Sequence, residues 1–250
     1  MSLSIGSRRF APQAWAAALT ALLVAAFVSL GWWQIGRATE KRAMTESFEH
    51  GARTSVALDG AVIEELPPYQ HVSAAGQYEP ARQILLDNMP SSTGQPGYRV
   101  LTPLRREAAE RILLVDRGWV PLGATRQDIP VVEVEAGPRT VAGRLDELPV
   151  PGIRVGNAQA PGETGWPRVL NFPTQADVEA ALGQPVESRI LLLDASSPDG
   201  YQRNWRPSVG FPPERHLGYA IQWFALAVTL VVIFVALSLK SGTGAGSNGT

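Results

Sequence analysis

The sequence predicts two transmembrane helices that flank a β-rich α+β domain, built as a sandwich or a partly open barrel. Three observations support this fold class. Residues 10–36 contain no Asp, Glu, Lys or Arg, and at about 1.5 Å per residue they easily cross a ~30 Å hydrocarbon layer. Residues 217–239 form a second uncharged run. Between the two runs, short β-prone segments recur and are separated by Gly, Pro, Asn and Asp.

The first apolar run is interpreted as an uncleaved anchor. Arg8 and Arg9 precede it, as basic residues also precede the apolar region of a signal peptide. That region usually spans only about 7–15 residues and ends at small residues. The run found here is longer and ends in Trp32-Trp33-Gln34, which is typical of a membrane interface.

Two spans place both termini on one side of a membrane and the loop on the other. Positive charges flanking the loop would retain it in the cytoplasm, but long loops translocate largely regardless of charge. The residues alone therefore leave the orientation open. The predicted organisation is an N-terminal segment, a first span, a domain, a second span and a disordered tail, at residues 1–13, 14–36, 37–215, 216–239 and 240–250.

The loop is predicted to form one antiparallel sheet with one or two helices. Segments 98–104 and 111–116 are expected to pair as a hairpin. Thr174 as N-cap, Asp177 three residues later and Gly183 at the end predict a short helix. Residues 37–49 are expected to continue the first span as a helix, and residues 152–167 to form an irregular surface loop. The predicted strands are residues 71–74, 83–87, 98–104, 111–116, 131–134, 140–145, 169–172 and 190–193.

Composition excludes several functions. The net charge is −1, so the chain lacks the basic field that binds nucleic acid. Without cysteine it has no disulfide, thiolate ligand or thiol nucleophile. The motifs of phosphate-binding loops, zinc proteases and serine hydrolases are absent from the sequence. Asp116, Asp194 and Asp199 close or follow predicted strands, and we interpret them as turn residues rather than as catalytic carboxylates.

His216 is the candidate for a metal ligand. The chain has two other histidines, His50 and His71, and no ligand-like spacing joins the three. Tyr219 and Trp223 follow His216 at three and seven residues, so Trp223 lies nearly below it on one helix face, about 10 Å deeper. The imidazole could ligate haem iron above an aromatic surface. Alternatively, all three residues anchor the helix at the membrane interface.

A cationic stripe on the first helix offers a similar choice. Gln34, Arg37 and Lys41 are spaced so that they share a face near the same membrane surface. Arg37 could pair with a haem propionate. It could equally bind the phosphates of membrane lipids.

These segments together resemble the Surfeit locus protein 1 family of cytochrome c oxidase assembly factors. The resemblance covers both spans and the start and middle of the loop, in order. It rests on Leu30-Gly31-Trp32-Trp33-Gln34 with Arg37 and Lys41, Gly76-Gln77-Tyr78, Leu86, the run from Ile112 to Pro121 that contains Asp116-Arg117-Gly118-Trp119, and the run from Arg215 to Ala227.

The resemblance implies a multi-pass protein of the bacterial inner membrane with its main domain in the periplasm. It also implies binding of haem A through the histidine and tryptophan of the second span, which map onto His216 and Trp223. Tyr219 and Arg37 complete the expected cofactor site. The expected partners are cytochrome c oxidase subunit I, haem A synthase and membrane lipid. Arg117-Gly118-Trp119 matches a family motif, and we interpret it as a tight turn at a strand end.

The sequence therefore predicts a non-enzymatic assembly factor that binds haem A and assists its insertion into subunit I. The main alternative is a membrane-anchored periplasmic scaffold or sensor that binds proteins without a cofactor. A membrane-bound hydrolase is a third possibility, for which the sequence offers no recognisable nucleophile and base.

Overall fold

The computed structural model describes residues 3–5, 8–10, 12–51, 54–107, 109–126, 128–150, 165–207 and 211–241. The chain forms two compact units, Met1–Thr45 with Ser208–Thr250, and Glu46–Pro207. The helices are α1 Ala14–His50, α2 Gln175–Leu182 and α3 Pro213–Ser238. The strands are β1 Leu3–Ile5, β2 Arg8–Phe10, β3 Ser55–Ala57, β4 His71–Tyr78, β5 Ile84–Asp87, β6 Gly97–Arg105, β7 Ile112–Pro121, β8 Pro138–Asp146, β9 Arg168–Asn171, β10 Val186–Leu193 and β11 Leu239–Ser241.

The first unit contains two helices that are long and apolar enough to span a membrane, α1 and α3. Helix α1 continues beyond its apolar part to His50, which confirms the helical extension over residues 37–49. Strands β1, β2 and β11 form a small antiparallel sheet that was not predicted. Lys240 and Ser241, the first residues of the predicted disordered tail, instead belong to β11, and residues 242–250 lie outside the described part of the chain.

The second unit is built on one eight-stranded sheet, ordered β3-β4-β8-β10-β7-β6-β5-β9. An additional pairing of β4 with β6 joins β4, β8, β10, β7 and β6 into a ring. This confirms the partly open barrel. The expectation of a purely antiparallel sheet was wrong, because β3 pairs with β4, β5 with β9 and β7 with β10 in parallel.

Side chains of the ring strands contribute to three buried clusters in the described part of the chain, and alternating residues enter different clusters. In β7, Leu113 and Val115 belong to one buried cluster, while Ile112 and Leu114 belong to another. The second cluster is covered by α2 through Val178, Ala181 and Leu182. Because both faces of β7 and β10 are buried over much of their length, each strand contains a continuous apolar run, residues 112–115 and 190–193, rather than an alternating pattern.

The short helix α2 forms as its sequence predicts. The Thr174 side chain accepts from the Asp177 amide, the Asp177 side chain accepts from the Thr174 amide, and Gly183 ends the helix in the left-handed conformation at φ 67°. The hairpin of β6 and β7 is also confirmed. Most of the expected surface loop at residues 152–167 lies outside the described residues.

The strand expected at residues 131–134 does not form. Two backbone carbonyls of this segment accept side-chain donors in place of a neighbouring strand. The Gln83 amide donates to the Val132 carbonyl, and Arg117 Nη2 donates to the Glu133 carbonyl at 2.8 Å. Side-chain donors can satisfy the backbone carbonyls of a β-prone segment as well as a neighbouring strand can.

Candidate functional site

Helices α1 and α3 pack along a seam within the first unit. Residues of low exposure recur on each helix every three or four positions, the spacing of a helix–helix contact. Gly31 allows close approach, because a Cβ there would lie 2.6 Å from the Phe224 ring. The seam residues are Thr20, Val24, Phe27, Gly31, Gln34 and Ala38 on α1, and His216, Ala220, Trp223 and Ala227 on α3.

One polar contact crosses this seam. His216 Nδ1 lies 2.7 Å from Gln34 Oε1. Gln34 is 9% exposed, and His216 is half-buried. An amide oxygen carries no proton, so Nδ1 of the imidazole must donate. A neutral ring protonated at Nδ1 keeps its lone pair on Nε2, the nitrogen that can then bind a metal.

An aromatic contact lies two helical turns away from the polar one. Trp223 follows His216 by seven residues, and Phe27 precedes Gln34 by seven. The Trp223 and Phe27 rings are 5.6 Å apart at an interplanar angle of 31°. The seam thus holds a polar pair and an aromatic pair about 10 Å apart along the helices.

Exposed tryptophans indicate the depth of this site in a bilayer. Trp33, beside Gln34, is 58% exposed, and Trp15 at the other end of the apolar run is 68% exposed. Trp33 follows Trp15 by 18 residues, a rise of about 27 Å that is close to the hydrocarbon thickness of ~30 Å. Tryptophan concentrates at membrane interfaces. In a bilayer spanned by α1 in this way, the polar pair would lie at interface level and the aromatic pair deeper.

Tyr219 and Arg37 lie apart from the seam. Tyr219 is exposed on α3. Arg37 forms a 2.6 Å ion pair with Glu40 on its own helix, and its side chain is 40% exposed. The expected stripe of Gln34, Arg37 and Lys41 is therefore divided, since Gln34 faces α3. The roles assigned to all four site residues from the sequence stay predictions.

The other two histidines have different surroundings. His71 Nε2 contacts the Asp194 carboxylate at 2.8 Å, and its Nδ1 is buried without a partner among the described residues. A metal therefore cannot reach His71 without rearrangement. His50 is exposed at the end of α1, where Nδ1 lies 2.8 Å from the Glu46 carbonyl.

The three aspartates singled out from the sequence form internal contacts of the β domain. Asp194 pairs with His71, and Asp199 pairs with Arg139. Asp116 does not close a strand as expected. It lies inside β7, fully buried, where it pairs with Arg99 and accepts from the Gly118 amide at 3.0 Å. Burial raises the pKa of Asp116, and Arg99 opposes that shift.

Arg117-Gly118-Trp119 is also structural, but its description as a turn at a strand end was wrong. All three residues lie within β7. Gly118 has φ 112°, and a Cβ there would lie 2.7 Å from the Gln202 carbonyl. Trp119 exchanges backbone hydrogen bonds with Gln202. The Arg117 guanidinium lies 4.9 Å from the Tyr201 ring centroid. The motif thus binds the segment around residue 201 to the sheet.

Sequence reasoning found His216 and Trp223 but missed their partners on α1. The available signal was the matched spacing, with a polar and an aromatic residue seven positions apart on each helix. In antiparallel helices, equal spacing allows both pairs to meet at once. Gln34 was instead grouped with Arg37 and Lys41.

Comparison with known proteins gives one consistent result. The sequence model described as the SURF1 family matches residues 21–228. A SURF1-like protein of Rickettsia felis is 27% identical over 223 residues, which cover 83% of this chain and 90% of that protein. A SURF1-like protein of Monosiga brevicollis is 25% identical over 271 residues, which cover 98% of this chain and 95% of that protein.

Proposed function

The chain belongs to the SURF1 family, and from this we propose that it assists the assembly of cytochrome c oxidase by holding haem A for insertion into subunit I. The observation that carries the proposal is the hydrogen bond from His216 Nδ1 to Gln34 Oε1. It leaves Nε2 as the nitrogen with a lone pair, in a half-buried position at interface level.

The residues present suit a haem. An imidazole with its other nitrogen already bonded is a common axial ligand. Trp223 and Phe27 offer aromatic surface along the same seam. Arg37 and Lys41 lie within two turns of Gln34 and would supply cations for propionate groups. For a propionate, Arg37 would exchange its present partner, Glu40.

The mechanism requires binding and release rather than bond making. Haem A, when bound, brings the iron and macrocycle that the oxidase uses. His216 Nε2 would hold the iron, Trp223 and Phe27 would exclude water from one side, and Arg37 would fix the orientation. A single nitrogen ligand with aromatic contacts gives an affinity that a stronger site can overcome. We therefore propose a non-enzymatic carrier, with subunit I and haem A synthase as partners.

The visible spectrum of the purified protein tests this proposal. The full chain, expressed in a host that makes haem A and purified in detergent, should show a Soret band. His216→Ala and His216→Gln should lose or strongly shift the band, because neither side chain replaces the nitrogen ligand. His50→Ala is the matched control, since His50 is exposed at the end of α1, and it should retain the spectrum.

The membrane-anchored scaffold or sensor predicts other results. Without a cofactor, the wild-type protein shows no Soret band. His216 would then only hold the helices together and anchor them, so that His216→Gln is nearly silent and Trp223→Ala is the most harmful change. An unchanged haem spectrum in His216→Ala would end the ligand assignment.

Deletion of the protein separates a carrier from an enzyme. We expect lower oxidase activity and lower haem A content in the membrane, with haem A synthase activity intact in extracts. Loss of the synthase activity would instead indicate an enzyme or an obligate synthase subunit.

We further propose that the protein is anchored in the bacterial inner membrane with its β domain in the periplasm. Alkaline phosphatase inserted within residues 152–167 should be active, and the same enzyme fused after Lys240 should be inactive. The reverse pattern would overturn this orientation and move the proposed haem site to the other leaflet.

A further inference from the structure

We propose that Gln34 is a positioning residue that fixes the tautomer of His216 and keeps its hold on iron weak enough for release. The proposal rests on the proposed function, because it concerns the same site. Its structural basis is the 2.7 Å contact between His216 Nδ1 and Gln34 Oε1. Gln34 is also nearly fully buried, on a helix whose neighbouring positions are apolar or exposed.

The first step is the choice of tautomer. In water an imidazole exchanges its proton between the two nitrogens. With Gln34 Oε1 as a fixed acceptor, the Nδ1–H form gains a hydrogen bond that the Nε2–H form lacks. The bond crosses between two helices, so it also fixes the plane of the ring. Nε2 is thus ready to bind iron without a prior proton shift.

The second step is the strength of ligation. A carboxylate that accepts from Nδ1–H draws the proton towards itself and makes Nε2 a stronger donor to the metal. A neutral amide draws it less. The chain itself provides the contrast, since His71 in the β domain bonds to the Asp194 carboxylate, while His216 bonds to an amide. An amide acceptor therefore suits a ligand that must release its metal.

Gln34 variants separate positioning from simple helix packing. Gln34→Leu removes the acceptor at similar volume, and Gln34→Glu replaces it with a carboxylate. Gln222→Leu is the matched control, because Gln222 is the same residue type on α3 and is exposed. Six residues from His216, it points to another side of the helix.

The first measurement needs no haem. ¹⁵N NMR of the full chain in detergent, labelled at histidine and recorded well above the ordinary histidine pKa of about 6.5, reports which nitrogen carries the proton. His50→Gln and His216→Gln assign the three signals. We expect Nδ1–H for His216 in the wild type and in Gln222→Leu, and a mixture of tautomers in Gln34→Leu. An unchanged tautomer in Gln34→Leu would overturn the positioning role.

The second measurement is the rate of haem transfer from the loaded protein to apomyoglobin. Loss of a hydrogen bond to a ligand commonly changes metal affinity about 10–100-fold. Transfer should therefore be at least about tenfold faster from Gln34→Leu than from Gln222→Leu, and slower than wild type from Gln34→Glu. The haem reduction potential should move in opposite directions in the two Gln34 variants. Equal rates of haem transfer from all variants would overturn the proposal that Gln34 controls release.

The two proposals can fail separately. If the wild-type protein binds no haem, the proposed function fails, while the NMR comparison still decides whether Gln34 sets the tautomer. If haem binds through His216 but the tautomer does not depend on Gln34, the carrier stands and the positioning role fails. A merely structural Gln34 would alter helix association without moving the potential in opposite directions.

Discussion

The helix pair and the β domain hold their polar groups in different ways. In the β domain, several buried charges are paired with opposite charges, as in Asp116 with Arg99 and Arg106 with Glu187. In the helix pair, the polar contact joins an amide and an imidazole, Gln34 and His216. Charged pairs in a protein interior are costly to break. A hydrogen bond between polar side chains of two membrane helices is typically worth only about 0.6 kcal/mol, so either side chain can take another partner at little cost.

This difference is the one expected if the β domain provides stability and the helix pair serves the proposed function. His71 has a structural role, because its Nε2 pairs with the Asp194 carboxylate and its Nδ1 is buried in the β domain. His216 shows the use suited to a ligand, with one nitrogen held and the other left with its lone pair. Variants should accordingly divide into those that unfold the β domain and those that change haem retention.

The largest effect on stability is expected from Asp116→Ala. Removing this carboxylate leaves the mostly buried Arg99 without its partner, which costs about 3–5 kcal/mol. Thermal unfolding of the detergent-solubilised chain, followed by near-ultraviolet circular dichroism, measures the change. Arg126→Ala is the control, because its ion pair with Asp87 involves a guanidinium that is 62% exposed, and it should cost at most about 1 kcal/mol. Equal losses of stability in Asp116→Ala and Arg126→Ala would show that the buried ion pair contributes no more than the exposed one.

His71→Ala should have a smaller effect of the same kind. It deprives the Asp194 carboxylate of a hydrogen bond, which we expect to cost about 1.5–3 kcal/mol. The same unfolding assay measures it, and the haem content per folded protein should equal that of the wild type. Loss of haem without loss of stability would move the ligand from the helix pair to the β domain.

Trp223→Ala should weaken haem retention without unfolding the β domain. An aromatic contact is worth about 0.5–1.5 kcal/mol beyond its buried area, which corresponds to a several-fold faster transfer to apomyoglobin. Trp223→Phe keeps a ring beside Phe27 and should be milder. If Trp223→Ala also lowered the melting temperature of the β domain, the loss of haem could not be assigned to the aromatic contact.

The smallest expected effect concerns Asp146 in the β domain. Burial raises the pKa of its carboxyl above the ordinary value, so the native state binds this proton more tightly than the unfolded state. Stability from this group is therefore present at low pH and is lost as pH rises from about 3.9 through the raised pKa. Asp146→Asn should be more stable than the wild type at pH 7.

Melting temperatures between pH 4 and pH 7 test this prediction. The advantage of Asp146→Asn over the wild type should shrink towards pH 4, since the raised pKa makes this carboxyl take up its proton more readily in the folded than in the unfolded state. Glu49→Gln, at an exposed position of α1, should show no such trend. A constant difference across the range would exclude titration of Asp146 as its cause.

Features set by local spacing could be predicted from the sequence. The two apolar helices follow from hydropathy and length, and α2 follows from Thr174, Asp177 and Gly183. The parallel pairing of β7 with β10 could not be predicted, because strand partners far apart in sequence leave no local pattern. The strand predicted at residues 131–134 does not form for a related reason, since the side chains of Gln83, just before β5, and Arg117, in β7, donate to the Val132 and Glu133 carbonyls.

The same distinction applies to the candidate site, where positions along one helix could be predicted and contacts between the helices could not. His216 and Trp223 share a face of one helix, and their alignment follows from helix geometry. Gln34 and Phe27 join them only through the register of α1 against α3, which depends on packing at Gly31 and Phe224. The spacing of a single helix contains no information about that register.

The position of β10 in the sheet constrains the order of biogenesis. Strand β10 lies between β8 and β7, yet in the chain it follows every other strand of the ring. Until it is synthesised, β7 and β8 each lack a neighbour and the ring stays open. Helix α3 begins only about twenty residues later. The β domain therefore completes its fold only when nearly the whole loop has been synthesised, shortly before the second apolar helix follows.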